Sequence, residues 1–513
     1  MSTAGEWPAS RRRYLRSGAT AFLVLALLLT MTVNLDSTPA VWWDEGWTLL
    51  VARNWVERGF YGRLLDGQPF PPGLEAAFPT TALVALSFRL LGIGVWQGRL
   101  AVGLTMIGAA GILCYLAGRL YNRAVVAGTL VVLLLTPRHW EIHPLLIGRQ
   151  VLAEGPMVLF VLAGYACFLA AQRRPARFMP AAVFLWGVAL VTKAQVLPFW
   201  VASLLVPLAA ALWRRRWRAA ALTGAGILAS LTLYWLLPRL QQAILRGHTM
   251  PPVTVGGLYE VNALVLDPWI HLHTIRATLL TTLPLLFGLG HAFRRCFRGP
   301  QGDDLDILRL SLLSLVGSWL AWYLFFSAGW ARYVFPATFI GSLFISVWLH
   351  DLTGGYRLRA GLDGIAQALR RRRLDRKSAA MCLVLLLAAV YLPLSIVELA
   401  GPAIPSSRSV FEVASFFNTE TPPGTRVETY DAELLFLLDR PYHYPPDQVH
   451  VESIRRSFRR QDVPVDYDPL AADPDYLVVG PFGRGWGIYD KAVKESFRLL
   501  RKYDLYEVYE RVR

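Results

Sequence analysis

The stretch "GRLAVGLTMIGAAGILCYLAGRLYNRAVVAGTLVVLLL" (98–135) shows the pattern on which most of the chain is built. An apolar run of about 20 residues ends at the basic segment "GRLYNR" (118–123), and a second apolar run follows it. A run of that length spans the hydrocarbon core of a bilayer, which is about 30 Å thick. The stretch therefore predicts two membrane helices joined by a short basic loop.

The composition of the whole chain agrees with this pattern. Of the 513 residues, 54% are hydrophobic and only 17% are charged, whereas soluble domains are about half apolar and about a quarter charged. The sequence therefore predicts a polytopic membrane protein. The net charge of +16 resides largely in arginine clusters between apolar runs, as the positive-inside rule expects, so we predict no nucleic-acid partner. The four cysteines show neither a disulfide framework in the C-terminal part nor a metal-binding spacing.

About eleven membrane spans are predicted from the apolar runs. A weaker candidate at 74–91 contains Glu75, Pro79 and Arg89 and follows the Pro-rich segment "QPFPPG", so we interpret it as a juxtamembrane or re-entrant element. The eleven apolar runs lie near residues 18–35, 99–118, 124–137, 155–171, 178–192, 196–213, 219–237, 276–292, 307–327, 333–350 and 379–398.

The distribution of arginine predicts the orientation of these spans. If the N-terminus is cytoplasmic and 74–91 does not cross, every basic cluster falls on the cytoplasmic side, as the positive-inside rule requires. If 74–91 crosses, all of them move outside. We therefore predict a multi-pass protein of the plasma (inner) membrane with an extracytoplasmic C-terminus. The clusters are "GRLYNR" (118–123), "RRPAR" (173–177), "RRRWR" (214–218), "RRCFR" (294–298) and "RRRLDRK" (371–377).

The chain changes character near residue 400. We predict a membrane domain at 1–400, with a first extracytoplasmic loop at 37–98, and a small extracytoplasmic α/β domain at 401–513. In the second part, short alternating runs such as "TRVETY", "DYLVVG" and "LYEVYERV" are bounded by Pro, Gly and Asp, which is typical of strands. The run "SVFEVASFFN" predicts a helix. The predicted fold class is thus mainly α, a polytopic helix bundle that carries a small α/β domain.

Polar side chains collect on the predicted outer side, where charged groups are costly unless they are paired or functional. The pair Asp44 and Glu45 follows the first span, between tryptophans. A carboxylate can take a proton from an attacking hydroxyl, and Lys or Arg can hold a phosphate. Each residue also has an ordinary explanation, such as a solvated loop tip, a helix N-terminal acid or an interfacial anchor. The candidates for substrate binding are Arg149, Glu154, Lys193, Arg332 and Tyr333, and the weak candidates for metal binding are Glu141, His271 and His273.

The order of several segments resembles a known family. The Asp44–Glu45 pair, then "QPFPPG" (68–73) and then "RLLGIGVWQGRLAVGL" (89–104) resemble the first extracytoplasmic loop of GT-C superfamily membrane glycosyltransferases. The most similar groups are the protein O-mannosyltransferases and the aminoarabinose (lipid A) transferases. "GRQVLAEGPMVLFVLAGYACFLA" (148–170) resembles their second loop. Further along, "GVALVTKAQVLPF" (187–199) and "RYVFPA" (332–337) resemble their Lys-containing and Arg-Tyr-containing stretches.

This resemblance implies a GT-C transmembrane bundle and a single-sugar transfer, with inversion, from a polyprenyl-phosphate donor to a glycan, lipid or protein acceptor on the outer face. It implies Asp44 as general base with Glu45 beside it, Glu154 as the second-loop acid, and Lys193 and Arg332 in phosphate or structural roles. The Glu-Lys pair that precedes the first-loop proline in the aminoarabinose transferases is missing from "QPFPPG". No cofactor is therefore assigned, although a divalent metal stays possible. The alternative hypothesis is a transporter or flippase of a lipid-linked or anionic substrate, for which charges near mid-span and a repeated half would be expected.

Overall fold

The protein is a bundle of long apolar helices with a small α/β domain at one end. The computed structural model describes residues 31–513 apart from residues 75, 136–141, 246–247, 250–254, 257–262, 299–303, 374, 402–403, 405 and 458. Within this part, nine helices are long and apolar enough to cross a membrane. The predicted span at 124–137 is a shorter apolar helix, and most of the predicted span at 18–35 lies outside the described residues.

Most of the described helices up to residue 400 follow one another through short connections, apart from the longer connection 245–267, and a small hairpin lies near the start. The hairpin consists of β1 (Arg63–Leu65) and β2 (Gln68–Phe70), paired antiparallel. The helices are α1 (Trp43–Arg58), α2 (Phe78–Leu91), α3 (Val95–Leu120), α4 (Arg123–Leu135), α5 (Pro144–Ile147), α6 (Glu154–Ala171), α7 (Pro175–Thr192), α8 (Leu197–Trp213), α9 (Trp217–Ile244), α10 (Pro268–Arg298), α11 (Asp304–Phe325), α12 (Phe335–Leu352), α13 (Leu358–Arg371) and α14 (Arg376–Ala400).

Close approach of the backbones holds the bundle together, as is usual for helices in lipid. Helix α12 is the central one, since 89% of its most apolar window is buried. A Cβ atom on Gly288 of α10 would lie 2.8 Å from the main-chain nitrogen of Ile345 in α12, so only glycine permits this contact. Ser203 of α8 and Ser311 of α11 donate hydrogen bonds to each other's carbonyl oxygens at 2.8 Å. Such pairs satisfy polar groups where no water is at hand.

Helix α2 does not cross the bundle. Its 14 residues reach only about 21 Å at 1.5 Å per residue, less than the hydrocarbon core of about 30 Å. Just before it, the carbonyl of Ala76 accepts from the hydroxyl of Tyr61, and near its other end Phe88 stacks on Phe436 of the C-terminal domain. Both ends of the helix therefore lie on the same side of the bundle, in agreement with the interpretation of 74–91 as a non-crossing element.

The two ends of the bundle differ in charge. Near one end, Arg309 donates to the carbonyl of Leu120, and the Arg295 guanidinium lies 5.4 Å from the ring centre of Tyr121. Arg295 also pairs with Asp351 at the end of α12. The predicted basic clusters that follow α3 and α10 thus meet at this basic end, as the charge argument requires. The acidic pair Asp44–Glu45 lies at the opposite end, where α14 also finishes and Thr38 donates to the carbonyl of Ile404.

The C-terminal domain contains a five-stranded mixed sheet in the order β4-β3-β5-β7-β6. Strand β3 runs parallel to β4 and β5, whereas β7 is antiparallel to β5 and β6. The three quoted alternating runs and the quoted helical run fall on β3, β5, β7 and α15, so the predicted α/β character is confirmed. The elements are α15 (Ser409–Glu420), β3 (Val427–Thr429), α16 (Ala432–Leu437), β4 (Tyr442–His443), α17 (Asp447–Ser457), β5 (Tyr476–Val479), α18 (Pro481–Trp486), α19 (Asp490–Ser496), β6 (Phe497–Tyr503) and β7 (Tyr506–Arg511).

This domain packs directly on the first loop. Helices α1 and α16 approach so closely that a Cβ on Gly46 would lie 2.3 Å from the main-chain nitrogen of Glu433. Arg63 of the hairpin holds Asp447 through two hydrogen bonds of 2.8 and 2.9 Å. Residues of α1, α2 and the sheet share one apolar core. The α/β domain and the first loop therefore form one packed layer at the acidic end of the bundle.

Candidate active site

The acidic pair opens helix α1. The main-chain N–H of Trp42, at the N-cap position, donates to Glu45 Oε1 at 3.2 Å. Negative charge in the first turn also complements the positive end of the helix dipole. Neither acid is a solvated loop tip, because Asp44 is 5% exposed and Glu45 is 0% exposed. Their neighbours must therefore explain how two buried carboxylates are tolerated.

Glu45 is enclosed by a structural network. It pairs with Arg99 through both oxygens, and the N–H of Val151 donates to Oε2 at 3.1 Å. Arg99 also donates to the carbonyls of Leu35 and Pro39 at 3.0 and 2.8 Å. These contacts give no support to the prediction of Glu45 as a catalytic group, because its oxygens are occupied by protein donors and no part of the residue reaches solvent. Its contacts tie α1, α3 and two loops together.

Asp44 faces a different cation. Its Oδ2 forms an ion pair with Nη1 of Arg332, and the two side chains are 6% and 14% exposed. Arg332 lies in the short turn Ala331–Val334 that leads into α12. Its guanidinium lies 5.3 Å from the ring centre of Trp42 and 5.7 Å from that of Trp330. Aromatic rings at these distances stabilise a cation that water barely reaches.

A second ion pair lies beside the first. Glu154, at the start of α6, pairs with Lys193, which caps the end of α7. Lys193 Nζ is 5.6 Å from the ring centre of Tyr333, the residue that follows Arg332. Tyr333 is in turn held in place because Trp319 Nε1 donates to its carbonyl at 2.7 Å. Asp44, Arg332, Tyr333, Lys193 and Glu154 thus form one connected group, which we call the acid–base cluster.

The C-terminal domain covers this cluster. Trp43 donates through Nε1 to the carbonyl of Tyr430 at 2.8 Å. Its ring is stacked between His450, at 4.5 Å, and Phe482, at 4.8 Å. Burial, which outweighs the nearby Asp447, lowers the pKa of His450 to about 4, and the charge of Arg332 acts in the same direction. His450 is therefore neutral at pH 7, and its ring is an apolar wall rather than a third cation.

Solved structures of other proteins identify the fold that carries this cluster. No protein-family model and no curated protein matches the sequence. Crystal structures of ArnT from Cupriavidus metallidurans, in the apo state and bound to undecaprenyl phosphate, do match. Their TM-scores are 0.62 and 0.60 at 16% and 17% identity, and each match covers 97% of this chain and 98% of ArnT. The archaeal oligosaccharyltransferase AglB from Archaeoglobus fulgidus, in complex with an inhibitory peptide and a dolichol-phosphate, matches with a TM-score of 0.55 at 12% identity, over 94% of this chain and 71% of that one. This chain has the GT-C fold.

The GT-C resemblance drawn from the ordered sequence segments is thereby confirmed at the level of the fold. Those segments supply the acid–base cluster: Asp44 comes from the first, Glu154 from the second, Lys193 from the third and Arg332 from the fourth. Four segments that are far apart in sequence meet at one end of the GT-C bundle. Their roles in chemistry stay predictions.

Arg149 belongs to the scaffold of this GT-C protein by its described contacts. It is 0% exposed, and its guanidinium donates to the carbonyls of Val33 and Thr38. It therefore holds the turn that precedes α1. Binding of substrate by Arg149 would require these hydrogen bonds to be broken, so the structure gives this prediction no support.

The predicted metal candidates receive no support from the described residues. His271 and His273 lie near the start of α10, where His273 is exposed, and Glu141 lies outside the described residues. Both ring nitrogens of His271 are buried, and neither has a hydrogen-bond partner among the described residues. No group of three or more His, Cys, Asp or Glu side chains that suits a metal ion occurs among the residues that the structure describes.

The sequence analysis missed Arg99, His450 and Phe482. Arg99 carried a usable signal, since a charged residue at the edge of an apolar run calls for a partner. His450 and Phe482 carried none, because each lies in an ordinary stretch of the C-terminal domain. Only the folded chain brings them to Trp43.

Proposed function

We propose that this chain is a membrane glycosyltransferase that moves a single sugar from a polyprenyl-phosphate donor to an acceptor. The observation that carries the proposal is the acid–base cluster, in which two buried carboxylates and two cations meet beneath a covering domain in a GT-C fold. Solved proteins of this fold include one bound to undecaprenyl phosphate and one in complex with a dolichol-phosphate and a peptide. The chemistry below is derived from the residues of this chain.

Arg332 and Lys193 are suited to the donor phosphate. In the structure each is neutralised by an acid, Asp44 and Glu154 respectively. A phosphate oxygen forms charge-assisted hydrogen bonds with Arg or Lys, and these are roughly twice as strong as neutral ones. Arrival of the donor between the two cations would draw Arg332 towards the phosphate. The carboxylate of Asp44 would then be released to accept a hydrogen bond from another group.

Asp44 is the residue that we assign as general base. The acceptor hydroxyl oxygen attacks the anomeric carbon, its proton passes to Asp44, and the bond between that carbon and the phosphate oxygen breaks. The lipid phosphate leaves with the bonding electrons, and its charge is balanced by Arg332 and Lys193. Attack from the face opposite the leaving group inverts the anomeric centre. No covalent intermediate with the protein is needed.

Glu45 and the C-terminal domain serve as supports in this scheme. Glu45 and Arg99 fix the first turn of α1, so the adjacent Asp44 is held in one direction. Trp43, clamped by His450 and Phe482, fixes the same turn from above. Such rigid support matters because small displacements of a reacting group cost large factors in rate.

The charge pattern supports a proposed orientation of the protein in the membrane. The basic end of the bundle is proposed to face the cytoplasm, which places the acid–base cluster and the C-terminal domain on the extracytoplasmic face of the plasma membrane. A lipid-linked sugar suits a transfer on that face, because the lipid anchors the sugar in the membrane next to the acid–base cluster.

A transfer assay tests the proposal. Purified full-length protein in lipid nanodiscs is given a panel of polyprenyl-phosphate sugars and acceptor lipids or peptides, and sugar transfer is measured by mass spectrometry. We expect Asp44→Asn to lower kcat by about 10²–10⁴-fold, the usual contribution of a general base. Asp66→Asn is the matched control, because Asp66 lies in the same loop on an exposed turn of the hairpin. Undiminished transfer by Asp44→Asn would contradict the base assignment, and no transfer from any donor would contradict the proposed function.

A further inference from the structure

A separate cavity opens at the basic end of the bundle. It has a volume of about 550 Å³, within the range of about 300–1,000 Å³ that is usual for ligand sites. The C-terminal ends of α3, α6 and α8 and the N-terminal ends of α7, α9 and α11 surround it. Helices α3 and α6 carry Arg99 and Glu154 near their other ends, beside the acid–base cluster. The cavity therefore lies on the opposite side of the bundle from that cluster.

Arginine dominates the polar part of this cavity. Five arginines from three connections line it, and no acidic side chain does so among the residues that the structure describes. The remaining wall is largely apolar, with Phe168, Pro207 and Leu308 among its members. A cavity with a cationic rim and an apolar wall suits a ligand that is anionic at one end and apolar at the other. The five are Arg119, Arg173, Arg174, Arg214 and Arg216.

The positive-inside rule accounts for basic loops at this end but not for their convergence. Arg370 and Arg371, for example, obey the same rule on the exposed helix α13 without lining the cavity. By contrast, Arg119, Arg173 and Arg174 come from two different connections and surround one space. The guanidinium groups of Arg119, Arg173 and Arg174 make no ion pair with the described residues, so the charge of these three is available to a ligand.

We propose that this cavity binds the phosphate headgroup of an anionic membrane lipid from the leaflet at the basic end. Basic pockets between membrane helices are suited to lipid phosphates, and Arg binds phosphate through two parallel hydrogen bonds. A lipid fits better than a soluble anion, because the cavity adjoins the interfacial residues Trp213 and Trp217, which are 90% and 66% exposed. Side chains of this type lie at headgroup level. The acyl chains would then follow the apolar outer faces of the neighbouring helices.

A binding experiment with matched variants tests this inference. One variant combines Arg119→Gln, Arg173→Gln and Arg174→Gln. The control combines Arg123→Gln, Arg177→Gln and Arg218→Gln, which removes the same charge from nearby positions that do not line the cavity. Purified full-length protein in an uncharged detergent is titrated with dioctanoyl phosphatidylglycerol, dioctanoyl phosphatidylcholine or inorganic phosphate, and bound molecules are counted by native mass spectrometry.

We expect saturable binding of phosphatidylglycerol that is weakened about tenfold or more in the cavity variant, since it loses charge-assisted hydrogen bonds. The control variant should stay within about twofold of the wild type, as expected for a diffuse charge effect. Thermal unfolding without lipid verifies that both variants fold. Equal weakening in both variants would overturn the site, and equal affinity for inorganic phosphate would overturn the lipid assignment. The binding is measured without any sugar donor, so it stands or falls independently of the transfer activity.

Discussion

Asp44 and Glu45 are adjacent in sequence, yet their surroundings give them different roles. Glu45 is satisfied by Arg99 and two main-chain N–H groups, whereas Asp44 depends on Arg332. A carboxylate whose cation can be drawn away by a phosphate can change its partner during a reaction. A carboxylate whose donors all belong to the scaffold cannot. The assignment of Asp44 as base and Glu45 as support rests on that difference.

Loss of Arg99 should damage folding more than chemistry. Arg99→Met leaves the buried Glu45 charge unpaired, which costs about 3–5 kcal/mol, so we expect a strongly lowered free energy of unfolding. Chemical unfolding of the purified protein in detergent measures it. The double variant Glu45→Gln with Arg99→Met should recover part of the loss, because the uncompensated charge is gone. The control Arg123→Met lies on an exposed position, and an equal loss there would contradict the argument.

Loss of Arg332 should lower turnover as well as stability, because the buried Asp44 carboxylate loses its cation. We expect Arg332→Gln to lower kcat by roughly 10²–10³-fold, the usual effect of removing one group that stabilises developing charge. Arg332→Lys should recover activity only in part, because Lys lacks the planar fork of Arg. The steady-state kinetics of transfer with a saturating donor measure both variants. Wild-type kcat in Arg332→Gln would refute the phosphate role.

Titration of His450 gives the C-terminal domain a specific response to acid. Burial lowers the pKa of His450 from 6.5 to about 4, so the unfolded chain binds its proton more tightly than the folded one. Its contribution to stability is complete above pH 6.5 and falls as the pH drops towards 4. Relative to His450→Gln, the wild type should lose about 2–4 kcal/mol over this window. Unfolding of both proteins between pH 7 and 4 measures the difference, and parallel pH curves would contradict it.

At the scale of elements, the important contact is the one between α1 and the C-terminal domain. Trp43 fills the space between His450 and Phe482, so Trp43→Ala removes a buried aromatic side chain, a change that costs about 3–5 kcal/mol. We expect faster hydrogen exchange in α16 and α17, because the domain loosens where it meets α1. Mass spectrometry of exchanged peptides measures this. Trp213→Ala is the control, since Trp213 is 90% exposed, and unchanged exchange in the Trp43 variant would contradict the clamp.

The elements also show what the sequence can predict. Apolar length located nine of the eleven predicted spans among the described residues, because it depends on local composition. The charge argument excluded α2 as a span, and its position confirms this. The ion-pair partners could not be predicted from the sequence. It placed four charged residues at one end of the bundle, Asp44, Arg332, Lys193 and Glu154, but it did not show which of them pair. Nor could it foresee that Glu45 is sealed by Arg99, because burial at that point depends on helix packing.

For the whole molecule, the orientation in the membrane can be tested directly. Single cysteines are placed at Arg372, in the basic segment after α13, and at Lys491 in the C-terminal domain, after the natural cysteines have been replaced. An impermeant thiol reagent applied to intact cells should label position 491 but not 372, because the positive-inside rule predicts that the basic end faces the cytoplasm. Position 372 should react only after permeabilisation. Labelling of 372 in intact cells would reverse the proposed topology.

The clamp on Trp43 also dictates an order of events during synthesis. Trp43 and its hydrogen-bond partner Tyr430 are 387 residues apart, so the ribosome makes the two acids long before it makes the layer that covers them. The bundle can insert and pack while α1 still lacks its cover. The geometry around Asp44 is completed only when the last part of the chain has been made and has docked. A nascent or truncated chain therefore carries every charged residue of the cluster but lacks the C-terminal domain that holds them in position.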